Sequence, residues 1–236
     1  MRKLDYGEAD RIYTLLTRDH GKVGAIARGV RKTSSKLASS LELFGAVDVL
    51  LAHGRSLDVI AQAERLPGPR LDAEVTRTAY ASLIAELADR VTEDRHPSEG
   101  VYELTTLAMS ELARESDPRR ASIYYLSAAL ELLGYAPQLD ACIACDRPLR
   151  PEPAAFTPAI GGFLCSDCAE PGRSLVSPAA IKVLRVMAAG DLALFRRLKL
   201  DEPVLEEVER VLESQLEYHL DARLKSLQFL RRLRRP

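Results

Sequence analysis

Residues 11–30, RIYTLLTRDHGKVGAIARGV, decide the fold class. RIYTLLT and KVGAIARG are runs of β-forming residues, and the RDHG between them offers Gly21 for a tight hairpin. Downstream, LFGAVDVLLAH and RSLDVIAQAERL flank Gly54 and alternate in part. Leu43, Val47, Val49 and Leu51 share one face, and so do Leu57, Val59, Ala61 and Ala63. Four strands with short turns predict a small antiparallel barrel or curled sheet. VRKTSSKLASS links the second strand to the third with room for a helical turn, and LPGPR at 66–70 closes the unit.

The period then changes from two to between three and four. Val75, Ala79, Leu83, Leu87 and Val91 line one stripe of a helix. A second helix is predicted from Ser98 to Glu115. A third starts at Asp117–Pro118, a cap followed by a proline, and runs to Gly134. Ser177–Pro178 repeats that start and Gly190 ends it. A last helix from Glu202 to Leu233 carries Leu205, Val208, Leu212, Leu216, Leu220, Leu224 and Leu227 on one stripe. Strands followed by helices predict an α+β chain, with a domain boundary between residues 67 and 68.

All four cysteines lie between the predicted helices, as Cys142-x2-Cys145 and Cys165-x2-Cys168 with 19 residues between the pairs. Two intervening residues let both sulfurs of one turn face a single ion, and two such turns complete a tetrahedron. Four protein ligands leave no open position, so the site, spanning 140–170, reads as structural zinc. An iron–sulfur cluster accepts the same ligands. A redox pair needs only one such turn, in a strand–helix setting that DRPLRPEPAAFTPAIGG does not supply, and a site that has lost its metal is the third alternative.

Charge is unevenly spread. Residues 1–40 carry nine Lys/Arg against four acids, a balance of +5. The last sixteen carry six against Asp221, again +5, so a net charge of −1 leaves −11 between them. Basic ends around an acidic middle suit a polyanion partner, or a charged surface with a solvated tail. Arg28, Arg31, Lys32 and Lys36 gather on ARGVRKTSSKL with two serines, as a phosphate-tracking loop or a solvated one. Only Tyr6, Tyr13 and Phe44 precede residue 67, too few rings for binding by base stacking, so backbone electrostatics should dominate.

Other classes find little support. No apolar run approaches the ~20 residues of a membrane span, and MRKLDYGEAD has no apolar signal-peptide region, so a soluble cytosolic protein with reduced thiols is expected. His20, His53, His96 and His219 are scattered, no phosphate-cradling G-x-x-x-x-G-K-[ST] occurs, and no nucleophile–base set assembles. A binding protein, not an enzyme, is expected.

YGEADRIYTLLT, GKVGAIARGVRKTSSKLASSLELF, LGYAPQLDACIAC, GGFLCSDC and LKSLQFLRRL together resemble the RecO family of bacterial DNA repair and recombination proteins, nearly end to end. The resemblance implies an N-terminal OB-fold barrel followed by an all-α domain with an inserted zinc knuckle. It implies a cytoplasmic, nucleoid-associated recombination mediator without ATPase activity, which binds single- and double-stranded DNA and anneals complementary strands. Its implied partners are RecR and the acidic, apolar C-terminal tail of single-strand-binding protein (SSB), to the benefit of RecA. Cys142, Cys145, Cys165 and Cys168 become zinc ligands by this likeness. Arg11, Lys22, Arg28, Arg31, Lys32 and Lys36 become DNA contacts, and Arg119 and Arg120 candidates for the SSB tail. Asp146 replaces a usual glycine, in a left-handed position that aspartate tolerates. Members usually have a fuller first strand ahead of the YGEAD region, so either the start is truncated or the first barrel strand is short. An RNA-binding protein, or an adaptor whose nucleic-acid affinity is incidental, is the alternative.

Overall fold

The computed structural model describes residues 1–68, 71, 74–220 and 223–234. Pro69 and Arg70 of the LPGPR stretch, Asp221, and Arg235 of the basic tail lie outside them. The chain forms two compact units, Met1–Ser122 with Leu224–Pro236, and Ile123–Arg223.

The first unit opens with five strands: β1 (Arg2–Tyr6), β2 (Asp10–Thr17), β3 (Gly21–Ala27), β4 (Val47–Ala52) and β5 (Asp58–Arg65), ordered β1-β2-β3-β5-β4. All neighbours are antiparallel except β3 and β5. β1 lies outside the four runs read from the residue pattern, because RKLDY is exposed along its whole length and shows no alternation to read. β3 buries every second residue. Gly21 turns the β2–β3 hairpin with φ +63°, and a side chain there would meet the His96 carbonyl oxygen at 2.0 Å. That backbone approach seats residues 94–96 against the hairpin, where the Arg95 N–H donates to the Lys22 carbonyl at 2.8 Å.

Tyr13, Ala25, Ala27, Val30, Leu41 and Ile60 form the barrel core, flanked by Leu15, Leu37, Val47, Val49, Leu51 and Ala63. Here β5 departs from its predicted face. Leu50 faces Gln62 but Leu51 faces Ile60, so Ala61 is an extra residue on β5. This bulge resets the alternation. Ile60 and Ala63 therefore both reach the core, while Ala61 is exposed.

Helices α1 (Val75–Val91) and α2 (Glu99–Arg114) pack together in this unit, and α3 (Pro118–Leu132) follows. Asp117 caps α3 as predicted, its carboxylate accepting the Arg119 N–H at 2.9 Å. No helix among the described residues is long and apolar enough to cross a membrane.

The second unit carries a sheet the sequence did not announce. Strands β6 (Gln138–Cys142), β7 (Ala154–Thr157), β8 (Gly162–Leu164) and β9 (Leu175–Val176) run in the order β6-β8-β7-β9, with β6 and β8 parallel. Phe163 is fully buried in it. Helix α4 (Pro178–Ala188) starts on the predicted Ser177 cap, whose hydroxyl oxygen accepts the Ala180 N–H at 3.2 Å. The Arg185 guanidinium ties α4 to β6 by donating twice to the Leu139 carbonyl, at 3.0 and 2.7 Å. A short α5 (Leu192–Arg197) follows.

The predicted last helix is two, α6 (Glu202–Leu220) and α7 (Lys225–Leu233). Leu205, Val208, Leu212 and Leu216 are buried on α6, which packs on α4, whereas Leu227 and Leu230 seat α7 against α1. A carboxylate sets the second start. Glu86 on α1 accepts the Lys225 and Ser226 N–H groups at 3.0 and 2.8 Å, and the Ser226 hydroxyl at 2.6 Å. It thus caps α7 from across the unit, where an anion also meets the positive end of the helix.

Candidate metal centre and nucleic-acid interface

The first cysteine clip grows out of β6, whose last residue is Cys142. The Asp146 N–H donates to the Cys142 carbonyl at 2.8 Å, and the Cys142 N–H to the Arg147 carbonyl at 2.9 Å. Closing this loop needs a left-handed residue, which Asp146 supplies at φ +59°. The second clip follows β8. The Cys165 N–H points at the Cys142 sulfur from 3.4 Å, and the Cys168 N–H donates to the Cys165 carbonyl at 3.0 Å. The two clips meet because Gly162 has no side chain, since a Cβ would lie 2.3 Å from Ile143 Cγ2.

All four thiols are unpaired as disulfides, and their sulfurs lie within 4.8 Å of one another. A tetrahedron with ~2.3 Å metal–sulfur bonds has sulfurs about 3.8 Å apart. Cys145 and Cys165 stand at 3.9 Å. The set can hold one metal ion and is compatible with structural zinc.

Cys142 and Cys145 shift down and Cys168 shifts up. Burial works against a thiolate at Cys142, but the N–H groups of Cys165, Ala144 and Cys145 outweigh it and bring the pKa down to about 6. The Arg147 guanidinium lowers that of Cys145. Cys168 is pushed up to about 12 by sharing its proton with Cys165 and Cys145. Sulfurs this close resist ionising together, and a dication at their centre removes the conflict.

The six predicted DNA contacts divide by what each already touches. Arg11 Nε donates to Asp5 Oδ1 at 2.7 Å across the β1–β2 pair, and Arg31 Nε lies 3.5 Å from the other oxygen of that carboxylate. Arg11 holds Asp5 below the usual carboxylate range. Lys22 Nζ donates to the Asp89 carbonyl at 2.8 Å and lies 3.5 Å from the Asp89 carboxylate, with its side chain only 17% exposed. Its charge is engaged within the fold. Arg28, Lys32 and Lys36 are exposed and have no carboxylate partner among the described residues.

Consecutive turns, not a helix, carry those three cations. Asp10 Oδ1 accepts the Gly29 N–H at 2.7 Å, the Ala9 carbonyl accepts the Arg31 N–H at 2.9 Å, and the Lys32 carbonyl accepts the Ser35 N–H at 3.0 Å. Val30, Leu37 and Leu41 fasten the segment into the barrel core. Arg119 and Arg120 are half-buried in the first turn of α3. Nothing in the sequence singled out Arg147, whose guanidinium lies beside the cysteine sulfurs. Its position two residues after Cys145 was the available signal.

A cavity of about 360 Å³ in the first unit is lined largely by apolar groups, including Leu15, Phe44, Val47 and Met109. The Thr105 hydroxyl in its wall is buried and has no hydrogen-bond partner among the described residues.

Comparison with known proteins agrees over both parts of the chain. Residues 1–67 match the family described as Recombination protein O N terminal, and residues 73–228 that described as Recombination protein O C terminal. The chain is 38% identical over 238 residues to the DNA repair protein RecO of Nocardioides sp., covering 98% of this chain and 96% of that one. Its identity to the protein of the same name from Bifidobacterium adolescentis is 35% over 236 residues, with the same coverage. For Dehalococcoides mccartyi it is 31% over 237 residues, or 100% of this chain and 94% of the relative.

Proposed function

Because the chain belongs to the RecO family of DNA repair proteins, we propose that it is a recombination mediator that acts by binding, without bond-making chemistry. Residues 1–67 form the nucleic-acid module, an OB-type barrel that grips the sugar–phosphate backbone of single- and double-stranded DNA. The observation that supports this reading is the trio Arg28, Lys32 and Lys36, exposed and without a carboxylate partner among the described residues, on a segment whose apolar residues are fastened into the barrel. Cations already occupied by Asp5 and Asp89 gain less from a phosphate, because they must first give up a carboxylate.

Annealing follows from the same electrostatics. Two complementary strands repel as polyanions, and neutralising phosphates on one lowers the cost of bringing up the other, with no need for ATP. Residues 68–236 recruit RecR and the C-terminal tail of SSB, through which RecA is loaded on DNA in the cytoplasm, at the nucleoid. Zinc held by Cys142, Cys145, Cys165 and Cys168 cross-links the two clips and fixes the sheet between α3 and α4; it takes no part in a reaction.

Annealing of complementary oligonucleotides, followed by quenching of a paired dye, tests the proposal. The rate should fall as salt rises, and fall further in the Arg28→Ala/Lys32→Ala variant. A rate indifferent to both changes overturns it.

A further inference from the structure

The metal ligands have a neighbour that the binding site alone does not require. Arg147 Nε lies 3.3 Å from Cys145 Sγ, and one of its terminal nitrogens lies 3.9 Å from Cys165 Sγ. The same nitrogen donates to Asp167 Oδ2 at 2.8 Å. A single side chain thus reaches a sulfur of each clip and a carboxylate set between the cysteines of the second. It lies along the accessible edge of the site, for Cys145 and Cys165 are half-buried whereas Cys142 is buried.

We propose that Arg147 is the outer clamp of the metal centre, a positioning residue that holds the two clips together and retains the ion. The inference rests on the zinc reading of the four cysteines. A dication bound by four thiolates leaves a net dianion, whose outermost charge sits on the sulfurs. A guanidinium against two of them offsets part of that charge and donates hydrogen bonds to lone pairs not used by the metal. Asp167 aims the fork. Its carboxylate accepts from the nitrogen that reaches Cys165, so the guanidinium plane spans the gap between clips instead of rotating into solvent. The geometry asks for arginine. Lysine carries the charge but presents one point where two separated donors are needed.

Release of zinc from the whole protein to a chromogenic chelator reads the clamp directly. Arg147→Ala should lose zinc about 10–100-fold faster than the unaltered protein, the usual consequence of removing an outer-shell partner. Arg147→Lys should fall between, and Asp167→Asn should shift the rate the same way by less. With Co²⁺ in place of zinc, the sulfur-to-metal charge-transfer band should move to lower energy in Arg147→Ala, since a thiolate that loses a donor is easier to oxidise. A general loss of packing does not produce that colour shift. Should Arg147→Ala fail to fold, Arg147→Lys and Asp167→Asn carry the same test. Metal analysis of the unaltered protein separates the two premises. No bound metal sinks the zinc reading, whereas one zinc per chain with release rates and Co²⁺ spectra unchanged across the variants sinks the clamp.

Discussion

Alanine at Arg28, Lys32 and Lys36 together removes the three of the six predicted DNA contacts that hold no carboxylate partner among the described residues. Each phosphate contact contributes a slope of about 0.9 to the dependence of log affinity on log salt for duplex DNA, and about 0.7 for single strands. If all three touch phosphate, the slope becomes shallower by about 2.7 or about 2.1. Between about 50 and 200 mM salt the unaltered protein should then lose about 20–40-fold more affinity than the triple variant. Fluorescence anisotropy of a labelled oligonucleotide, titrated at four or five salt concentrations, measures this. Lys22→Ala is the control. Its ammonium is spent on Asp89, so the salt slope should stay, while the fold loses about 1–3 kcal/mol from a broken charged hydrogen bond. A triple variant with the original slope would refute the reasoning. So would a folded Lys22→Ala protein that loses as much slope as the triple.

Glu86→Gln should destabilise the first unit by about 0.5–2 kcal/mol, the usual value of a helix cap, and denaturant titration reports it. Burial opposes the charge on Glu86, but hydrogen bonds from Ser226 and Lys225 prevail and lower its pKa in the folded state. Its contribution is therefore present above the ordinary glutamate range and lost as pH falls through the folded value, so the gap between Glu86→Gln and the unaltered protein should close in acid. Ile60→Ala should cost about 2–5 kcal/mol and Ala61→Ser almost nothing; equal effects would contradict the bulge on β5. Stripping metal with a strong chelator should lower the melting temperature and remove strand signal from circular dichroism, while the salt dependence of DNA binding persists.

Much of this was readable because it depends on neighbours in sequence. Gly21 and the β-forming runs RIYTLLT and KVGAIARG fix a hairpin locally, and the Asp117–Pro118 and Ser177–Pro178 starts are capped as their residue types require. The cysteine spacing foretells a cluster for the same reason. What escaped depends on distant partners. The Ala61 bulge shifts β5 relative to β4 without a mark in its own composition. The break between α6 and α7 is set by Glu86, far away in the chain. Strands β6 to β9 are two to five residues long, too short for a period to show. Residue type identified the barrel cations, but only the fold reveals that Asp5 and Asp89 already hold Arg11 and Lys22.

The return of α7 to α1 has a consequence for how the molecule is made. The first unit is interrupted by Ile123–Arg223 and completed only by Leu224–Pro236. A ribosome working at about 5–20 residues per second needs roughly 5–20 s to cross that interval. Throughout that delay the apolar stripe of α1 lacks its last partner and is exposed to chaperones and proteases. Messages cut short near the stop codon should therefore yield a polypeptide whose front half is degraded, although every residue of its barrel has been synthesised.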